Sequence, residues 1–387
     1  MYNFDEVINR QNTACLSVDA LEERFGSAKL TSLWVADMNF RTPDFIMNAI
    51  RKRCEHEILG YPVAPEGYYE AIISWLKKRH RLSVNKEDVG YLPGIVPGIA
   101  YAINCYTQKG AGIVIQPPIY TPFSATINNN RRKIIYNRLA LGGNHFELDL
   151  KDFEACVSKA SMFILCNPHN PGGRVWTRQE LEQMAAICQR HNVLVISDEI
   201  HCDLTLQGYT HAPFANVSEW ARNNSITFMS STKTFNMAGL ASAFYVIPSK
   251  ELRNKFQAYL CNNECAPPNI FAYTATQAAF ESGEQWLNQL LPYIQGNVDF
   301  VTGYLQKNIP QVKAVKPQAT YLIWLDFRAL NLPQAAIRDL LAGKAKLALN
   351  DGATFGPGGE GFMRMNLARP QSVIKQALGQ LKQAVQP

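Results

Sequence analysis

Residues 230–236, SSTKTFN, contain one lysine, Lys233, among hydroxyl and amide side chains, directly after the apolar run at 226–229. A lysine at the end of a buried strand loses part of its hydration, which favours the neutral amine that attacks carbonyl groups. Neighbouring hydroxyls such as Ser230 can hold a phosphate. The segment therefore indicates an amine that forms an imine with a phosphorylated carbonyl compound. The alternative is an ordinary strand-to-loop transition with a solvent-facing lysine.

Alternating strands and helices in the middle of the chain predict how this lysine is positioned. The apolar runs typical of buried strands lie at 112–115, 162–166, 193–196 and 226–229. A helix begins at about Pro97, and another begins with the capping box of Thr177 and Glu180. This order predicts an α/β fold with a mostly parallel sheet flanked by helices. Ligands bind where the strands of such sheets end, and Asn170, Asp198 and Lys233 each follow a predicted strand.

The last hundred residues predict a second, smaller α+β domain. Strand candidates lie at about 321–325 and 362–367, and 372–385 has the apolar periodicity of an amphipathic helix. A long helical stretch from about 269 to 306 is expected to connect the two parts. We expect an N-terminal segment at 1–45 that packs with the small domain, a large cofactor-binding domain at 46–275 and the small domain at 276–387.

Composition excludes several classes of function. The chain has 387 residues, of which 47% are hydrophobic, and no apolar run approaches the roughly 18 residues that span a bilayer. The net charge of +6 is dispersed, and the longest basic run, 131–133, is typical of a solvated loop rather than a nucleic-acid site. The N-terminus lacks the pattern of a signal peptide. Nine scattered cysteines therefore predict reduced thiols in the cytoplasm.

Several residues match the requirements of pyridoxal phosphate (PLP) catalysis. The cofactor needs an imine lysine, an acid at its pyridine nitrogen, a stacking ring, a phosphate cradle and a clamp for the substrate carboxylate. Lys233 can be the lysine, Asp198 the acid, and Asn170 can offer its amide to the phenolic oxygen. Residues 94–98 open a helix whose free N–H groups suit a phosphate. Taken singly, each has a simpler explanation as a cap, a turn or an ordinary helix start.

Eight segments in order along the chain resemble a known family. They are WVADMNF at 34–40, GY at 60–61, PPIY at 117–120, NPHNPG at 167–172, SDEIH at 197–201, SSTKTFN at 230–236, TYLIW at 320–324 and FMRMN at 362–366. The chain resembles the fold-type I PLP enzymes of the aspartate aminotransferase superfamily, class I/II, and more narrowly their cystathionine β-lyase (C–S β-lyase) branch. The resemblance implies an aspartate aminotransferase-like fold with a large and a small domain.

The resemblance also implies a role for each candidate site residue. Lys233 is the implied Schiff-base lysine and Asp198 the partner of the pyridinium. Arg364 is the implied clamp for the substrate α-carboxylate, and Ala36 also lies on the substrate side. The other implied cofactor contacts are Asn170 and His201 near the phenolic oxygen, Tyr120 stacked on the ring, Ile95, Val96 and Ser230 at the phosphate, and Tyr61 reaching the phosphate from the second subunit of a homodimer. No metal is implied.

One position departs from the aminotransferase pattern. Many aminotransferases carry a phosphate-binding arginine eight positions after the lysine, where this chain has Ala241. The C–S lyase branch often lacks that arginine, so the departure favours the narrower assignment.

The resemblance implies a β-elimination. Lys233 removes the α-proton, a thiolate leaves the β-carbon of cystathionine or a related cysteine S-conjugate, and pyruvate and ammonia follow. An aminotransferase is the alternative, because both reactions share one carbanion. A PLP-binding regulatory protein is a third possibility, disfavoured because every catalytic group is present.

Overall fold

A seven-stranded sheet forms the centre of the fold. The computed structural model describes residues 1–385. Six of the strands run parallel, and Ala243–Val246 is antiparallel to both of its neighbours. This arrangement confirms the predicted α/β class. In spatial order the strands are Val89–Leu92, Ala243–Val246, Ser225–Met229, Leu194–Asp198, Met162–Cys166, Gly112–Ile115 and Lys133–Tyr136.

Helices cover both faces of this sheet, which explains why its central strands are continuous apolar runs. All five residues of Met162–Cys166 are buried, as are all five of Ser225–Met229. The capping box is confirmed, since Thr177 and Glu180 cap each other at the start of Arg178–Arg190. The α-helices are Leu16–Asp19, Leu21–Phe25, Asp44–Cys54, Glu66–His80, Ile95–Tyr106, Thr121–Asn129, Leu150–Val157, Arg178–Arg190, Glu219–Asn223, Lys250–Asn262, Ile270–Ser282, Glu284–Asn308, Gln334–Asp339 and Gln371–Val385.

A second, antiparallel sheet is built from the C-terminal part of the chain. Leu322–Asp326 and Phe362–Asn366 are its central strands, in agreement with the predicted strand positions. In spatial order the strands are Lys313–Val315, Leu322–Asp326, Phe362–Asn366 and Asn350–Asp351. Two minor pairs complete the strands, Thr31–Ser32 with Leu347–Ala348 and Ala140–Gly142 with His145–Glu147. The domain boundaries at 45/46 and 275/276 stay predictions.

Two predicted boundaries differ from the structure. The expected continuous helix at 269–306 is two helices, Ile270–Ser282 and Glu284–Asn308, which meet at Gly283. A Cβ at Gly283 would lie 2.3 Å from the ring of Phe235, so close packing there requires glycine. The strand expected at 193–196 runs on to Asp198, whose pairing with Cys166 and Phe228 keeps it in the sheet. Within residues 1–385, no helix is long and apolar enough to cross a membrane.

Candidate active site

The amine of Lys233 points into the junction between the large sheet and the N-terminal segment. The loop that carries it follows the strand Ser225–Met229, and its Nζ donates a hydrogen bond to the carbonyl oxygen of Ala36 at 2.5 Å. Burial, together with the positive charge of Arg364, lowers the pKa of Lys233 to about 8, against the opposing effect of Asp37 and Asp198. A buried amine with a lowered pKa is available as a nucleophile and a base near neutral pH.

Asp198 ends the neighbouring strand, and its carboxyl group is 5% exposed. Burial and the neighbouring Glu199 raise the pKa of Asp198 to about 7, while the N–H of Ile200 and the charge of Lys233 oppose the rise. Its Oδ1 accepts the Ile200 N–H at 3.0 Å. A buried carboxyl group with so few donors would be stabilised as a carboxylate by a cationic N–H group placed against it.

Arg364 reaches the same region from the second sheet. It is 4% exposed, and its Nη1 donates to Asn170 Oδ1 at 3.0 Å. Its Nη2 donates to Asn350 Oδ1 at 2.7 Å and to the carbonyl oxygen of Trp34 at 3.1 Å. These partners are all neutral, and Nε has no partner within the described chain. Burial lowers the pKa of Arg364 to about 10. A buried guanidinium with neutral partners and an unused donor is suited to an anionic ligand.

Two rings complete the walls of the site. Tyr120 precedes the helix Thr121–Asn129, and burial raises the pKa of its hydroxyl group, with Arg364 opposing the shift. His201 is 3% exposed, and its Nδ1 has no partner in residues 1–385. Burial lowers the pKa of His201 to about 3, helped by the charges of Lys233 and Arg364, so its imidazole is neutral. The structure thus brings both predicted residues to the Lys233 region.

The candidate phosphate cradle lies at the start of the helix Ile95–Tyr106. Ile95 and Val96 form the first turn of this helix, whose N–H groups have no acceptor inside the helix. The Oγ of Ser230 lies 2.6 Å from Thr232 Oγ1 and donates to the carbonyl oxygen of Ser242 at 2.6 Å. Helix N-termini with adjacent hydroxyls are common phosphate sites.

Tyr61 is the one predicted site residue that the single chain leaves outside this site. Its side chain is fully exposed, and nearby apolar side chains of Ile58, Leu59 and Val63 are also largely exposed. The sequence departure at Ala241 lies in a left-handed backbone conformation, and its carbonyl oxygen accepts the hydroxyl of Tyr91 at 2.8 Å.

The structure shows side-chain hydrogen bonds to the backbone at residues 35–37 that the sequence did not identify. Asn366 Nδ2 donates to the carbonyls of Val35 and Asp37, both at 2.6 Å. Tyr321 donates its hydroxyl to the carbonyl between them, that of Ala36, at 2.9 Å. Both residues lie in motifs that the sequence singled out, but only the packing of the N-terminal segment against the second sheet assigns them a partner.

Two buried acid–imidazole pairs lie behind the site. His80 contacts Asp203 at 2.7 Å, and His211 contacts Glu199 at 2.7 Å. Asp203 Oδ2 also accepts the hydroxyl of Thr234, the residue after the lysine, at 2.9 Å. Although burial opposes the effect, hydrogen bonds from His80 and Thr234 and neighbouring positive charge hold the pKa of Asp203 below its usual value. His80 and Asp203 are more than a hundred positions apart in the chain, so no local sequence pattern predicts their contact.

Comparison with known proteins agrees with this geometry. The family model described as "Aminotransferase class I and II" matches residues 29–381. Cystathionine beta-lyase PatB of Bacillus subtilis is 40% identical over 99% of this chain and 100% of its own length. The solved structure of a PLP-bound putative aminotransferase from Clostridium difficile has a TM-score of 0.98 at 40% identity, covering 100% of both chains. That of a PLP-bound C–S lyase from Staphylococcus hominis has a TM-score of 0.93 at 33% identity, covering 100% and 99%.

The match therefore extends over both sheets and over every segment that supplies a candidate site residue. The chain belongs to the class I and II aminotransferase family of fold-type I enzymes, in the branch of the C–S lyases.

Proposed function

We propose that this enzyme is a PLP-dependent C–S β-lyase, which cleaves cystathionine or a related cysteine S-conjugate into a thiol, pyruvate and ammonia. The observation that carries the proposal is the combination, at one site, of an amine with a lowered pKa and a buried guanidinium whose partners are neutral. The first suits removal of an α-proton, and the second suits an α-carboxylate. The similarity to PatB supports the choice of reaction.

The residues present fit PLP. Buried polar atoms without partners, His201 Nδ1 and Arg364 Nε, indicate that the site is completed by a polar ligand. When bound, PLP supplies an electron sink for the substrate α-carbon. We propose that Lys233 holds its carbonyl carbon and Asp198 its ring nitrogen. The remaining contacts are proposed to be Asn170 and His201 at the phenolic oxygen, Tyr120 against the ring, and Ile95, Val96 and Ser230 at the phosphate.

Arg364 is proposed to orient the substrate. Three of its five N–H donors are used by Asn170, Asn350 and Trp34, and the others remain for the α-carboxylate. Holding the carboxylate fixes which bond at the α-carbon faces the base. Ala36, whose carbonyl oxygen lies against Lys233, borders the substrate on the other side.

Lys233 is proposed to accept the α-proton after the incoming substrate amine has displaced its Nζ and left it as a free amine. With a pKa of about 8, roughly a tenth of this amine is neutral at pH 7, whereas at the ordinary value of 10.5 the neutral fraction is below about one in a thousand. As the C–H bond breaks, its electron pair stays on the substrate carbon and the proton passes to Nζ. That electron pair then forms a double bond between the α- and β-carbons as the C–S bond breaks, and the thiolate leaves with the electron pair of the C–S bond.

Release of pyruvate tests the proposal. The purified holoenzyme is expected to release pyruvate and thiol in equal amounts from cystathionine or S-methylcysteine, and pyruvate with cysteine persulfide from cystine. Lys233→Ala is expected to lose this activity. An exposed lysine far from the site, such as Lys313, gives a matched Lys→Ala control. A PLP-loaded enzyme that releases no pyruvate from any β-thio amino acid would contradict the assignment.

Transamination is the second candidate function, favoured by the close structural match to a protein described as a putative aminotransferase. It uses the same base and the same carboxylate clamp. The discriminating substrate is an amino acid without a β leaving group. Sustained conversion of alanine to pyruvate that requires a second 2-oxo acid would favour transamination over elimination.

We also propose that the active unit is a homodimer in which Tyr61 completes the partner's phosphate site. The exposed apolar side chains around Tyr61 support an interface. Mixing Tyr61→Ala chains with Lys233→Ala chains is expected to restore activity, because a hybrid dimer has one site without either defect. Hybrid dimers with no more activity than the parent variants would contradict a shared site.

A reducing, cytoplasmic environment is the proposed setting. All nine cysteines are free, and five of them are buried. Free buried thiols persist where disulfides are not formed.

A further inference from the structure

The carbonyl oxygen of Ala36 accepts hydrogen bonds from two side chains that are remote in sequence. Lys233 Nζ lies 2.5 Å from it and Tyr321 Oη 2.9 Å from it. Tyr321 immediately precedes the strand Leu322–Asp326 and is 1% exposed. The second sheet therefore contributes a fixed donor to the carbonyl that the lysine contacts.

The surrounding backbone is held on both sides of this carbonyl. Asn366 Nδ2 donates to the carbonyls of Val35 and Asp37. The three consecutive carbonyls of residues 35–37 therefore all accept hydrogen bonds from side chains of the second sheet and the residue before its strand. Only the middle one also accepts the lysine. Loss of the Tyr321 hydroxyl would leave the Ala36 carbonyl without a fixed donor, while the carbonyls on either side keep theirs.

The Tyr321 hydroxyl remains a donor throughout the working pH range. Burial raises the pKa of Tyr321 far above its usual value, and Asp37 raises it further, against the charges of Arg369 and Arg364. Its ring packs edge-to-face on His201, with centroids 6.2 Å apart. Its effect on Lys233 is therefore positional, and separate from the charges of Arg364, Asp37 and Asp198 that set the lysine pKa.

We propose that Tyr321 is a positioning residue for proton transfer, because its hydroxyl fixes the Ala36 carbonyl as the acceptor that holds the Lys233 amine when it is free. An amine that donates an N–H to this oxygen has its lone pair directed away from it and available to the α-proton. The proton passes to Nζ, and the C–H electron pair stays on the substrate carbon. The inference rests on the proposed function only in taking Lys233 as the base.

Tyr321→Phe tests the inference, since it removes the hydroxyl and keeps the ring. We expect kcat to fall about tenfold while KM changes by less than about threefold. The isotope effect with α-deuterated substrate should increase, because proton transfer becomes more rate-limiting. The dissociation constant for PLP, measured by equilibrium dialysis, should stay within about threefold of that of the wild type.

Tyr68→Phe is the matched control. Tyr68 is fully buried, and its hydroxyl has no partner in residues 1–385. Its removal is expected to leave kcat and the isotope effect unchanged, because no hydrogen bond is lost. Equal losses in the two variants would assign the Tyr321 effect to general packing and overturn the inference, as would unchanged kcat and isotope effect in Tyr321→Phe or a matching loss of PLP affinity.

Exchange of the α-proton of alanine with D₂O separates this inference from the proposed function. The exchange needs Lys233 but no leaving group. A wild-type enzyme that exchanges the α-proton of alanine but releases no pyruvate from any β-thio amino acid would refute the lyase, and slower exchange in Tyr321→Phe would still support the positioning role. Equal exchange rates in wild type and Tyr321→Phe would overturn the positioning role alone, and an enzyme with neither reaction would overturn both.

Discussion

Replacing Arg364 by lysine tests the carboxylate clamp most directly. The change keeps the positive charge and removes the planar fork that holds Asn170, Asn350 and the Trp34 carbonyl. A hydrogen bond to a charged group contributes about 1.5–3 kcal/mol, so the loss of one bond to the substrate carboxylate predicts a fall in kcat/KM of roughly 10- to 150-fold.

The assay is pyruvate release from S-methylcysteine under first-order conditions, with PLP saturating. Arg338→Lys is the matched control, because Arg338 also lies in the C-terminal part of the chain but is exposed and paired with Asp351. We expect that control to lie within about twofold of the wild type, since exposed ion pairs contribute little.

A substrate analogue that lacks the carboxylate shows whether the loss is specific to the contact between Arg364 and the carboxylate. S-Methylcysteamine cannot use Arg364, so binding of this analogue as an inhibitor should be nearly equal in wild type and Arg364→Lys. A double cycle of enzyme and ligand then isolates the contact between guanidinium and carboxylate. Equal losses for the amino acid and for the analogue would refute the clamp and indicate a general distortion of the site.

Three further outcomes follow from the same structure. The kcat is expected to rise as pH increases through about 8, because Lys233 accepts a proton only as the neutral amine, and a flat profile from pH 6 to 9 would contradict this. Asp203→Asn removes the buried carboxylate that pairs with Arg79 at 3.3 Å, and should lower the free energy of unfolding by about 3 kcal/mol in urea titrations. Gly283→Ala should cost about 1–3 kcal/mol by the same measurement, since the new methyl group overlaps the Phe235 ring.

The sequence predicted the large sheet because its strands carry their signal locally. The run at 162–166 is apolar throughout, and the structure gives a strand with the same bounds, fully buried. The capping box at Thr177 is likewise a local pattern. The break at Gly283 was not predicted, and only the tertiary structure shows that the Phe235 ring occupies the space a side chain would need at this position.

For the active site as well, the sequence predicts some features and only the tertiary structure gives the others. Residue types at the ends of predicted strands were sufficient to select Lys233 and Asp198, whereas Arg364, in the middle of the strand Phe362–Asn366, was selected only through the family resemblance. The pKa of Lys233 depends on burial and on the charges of Arg364, Asp37 and Asp198, which only the tertiary structure brings together. Tyr321 and Ala36 are 285 positions apart in the chain, so local sequence patterns cannot predict the hydrogen bond between them.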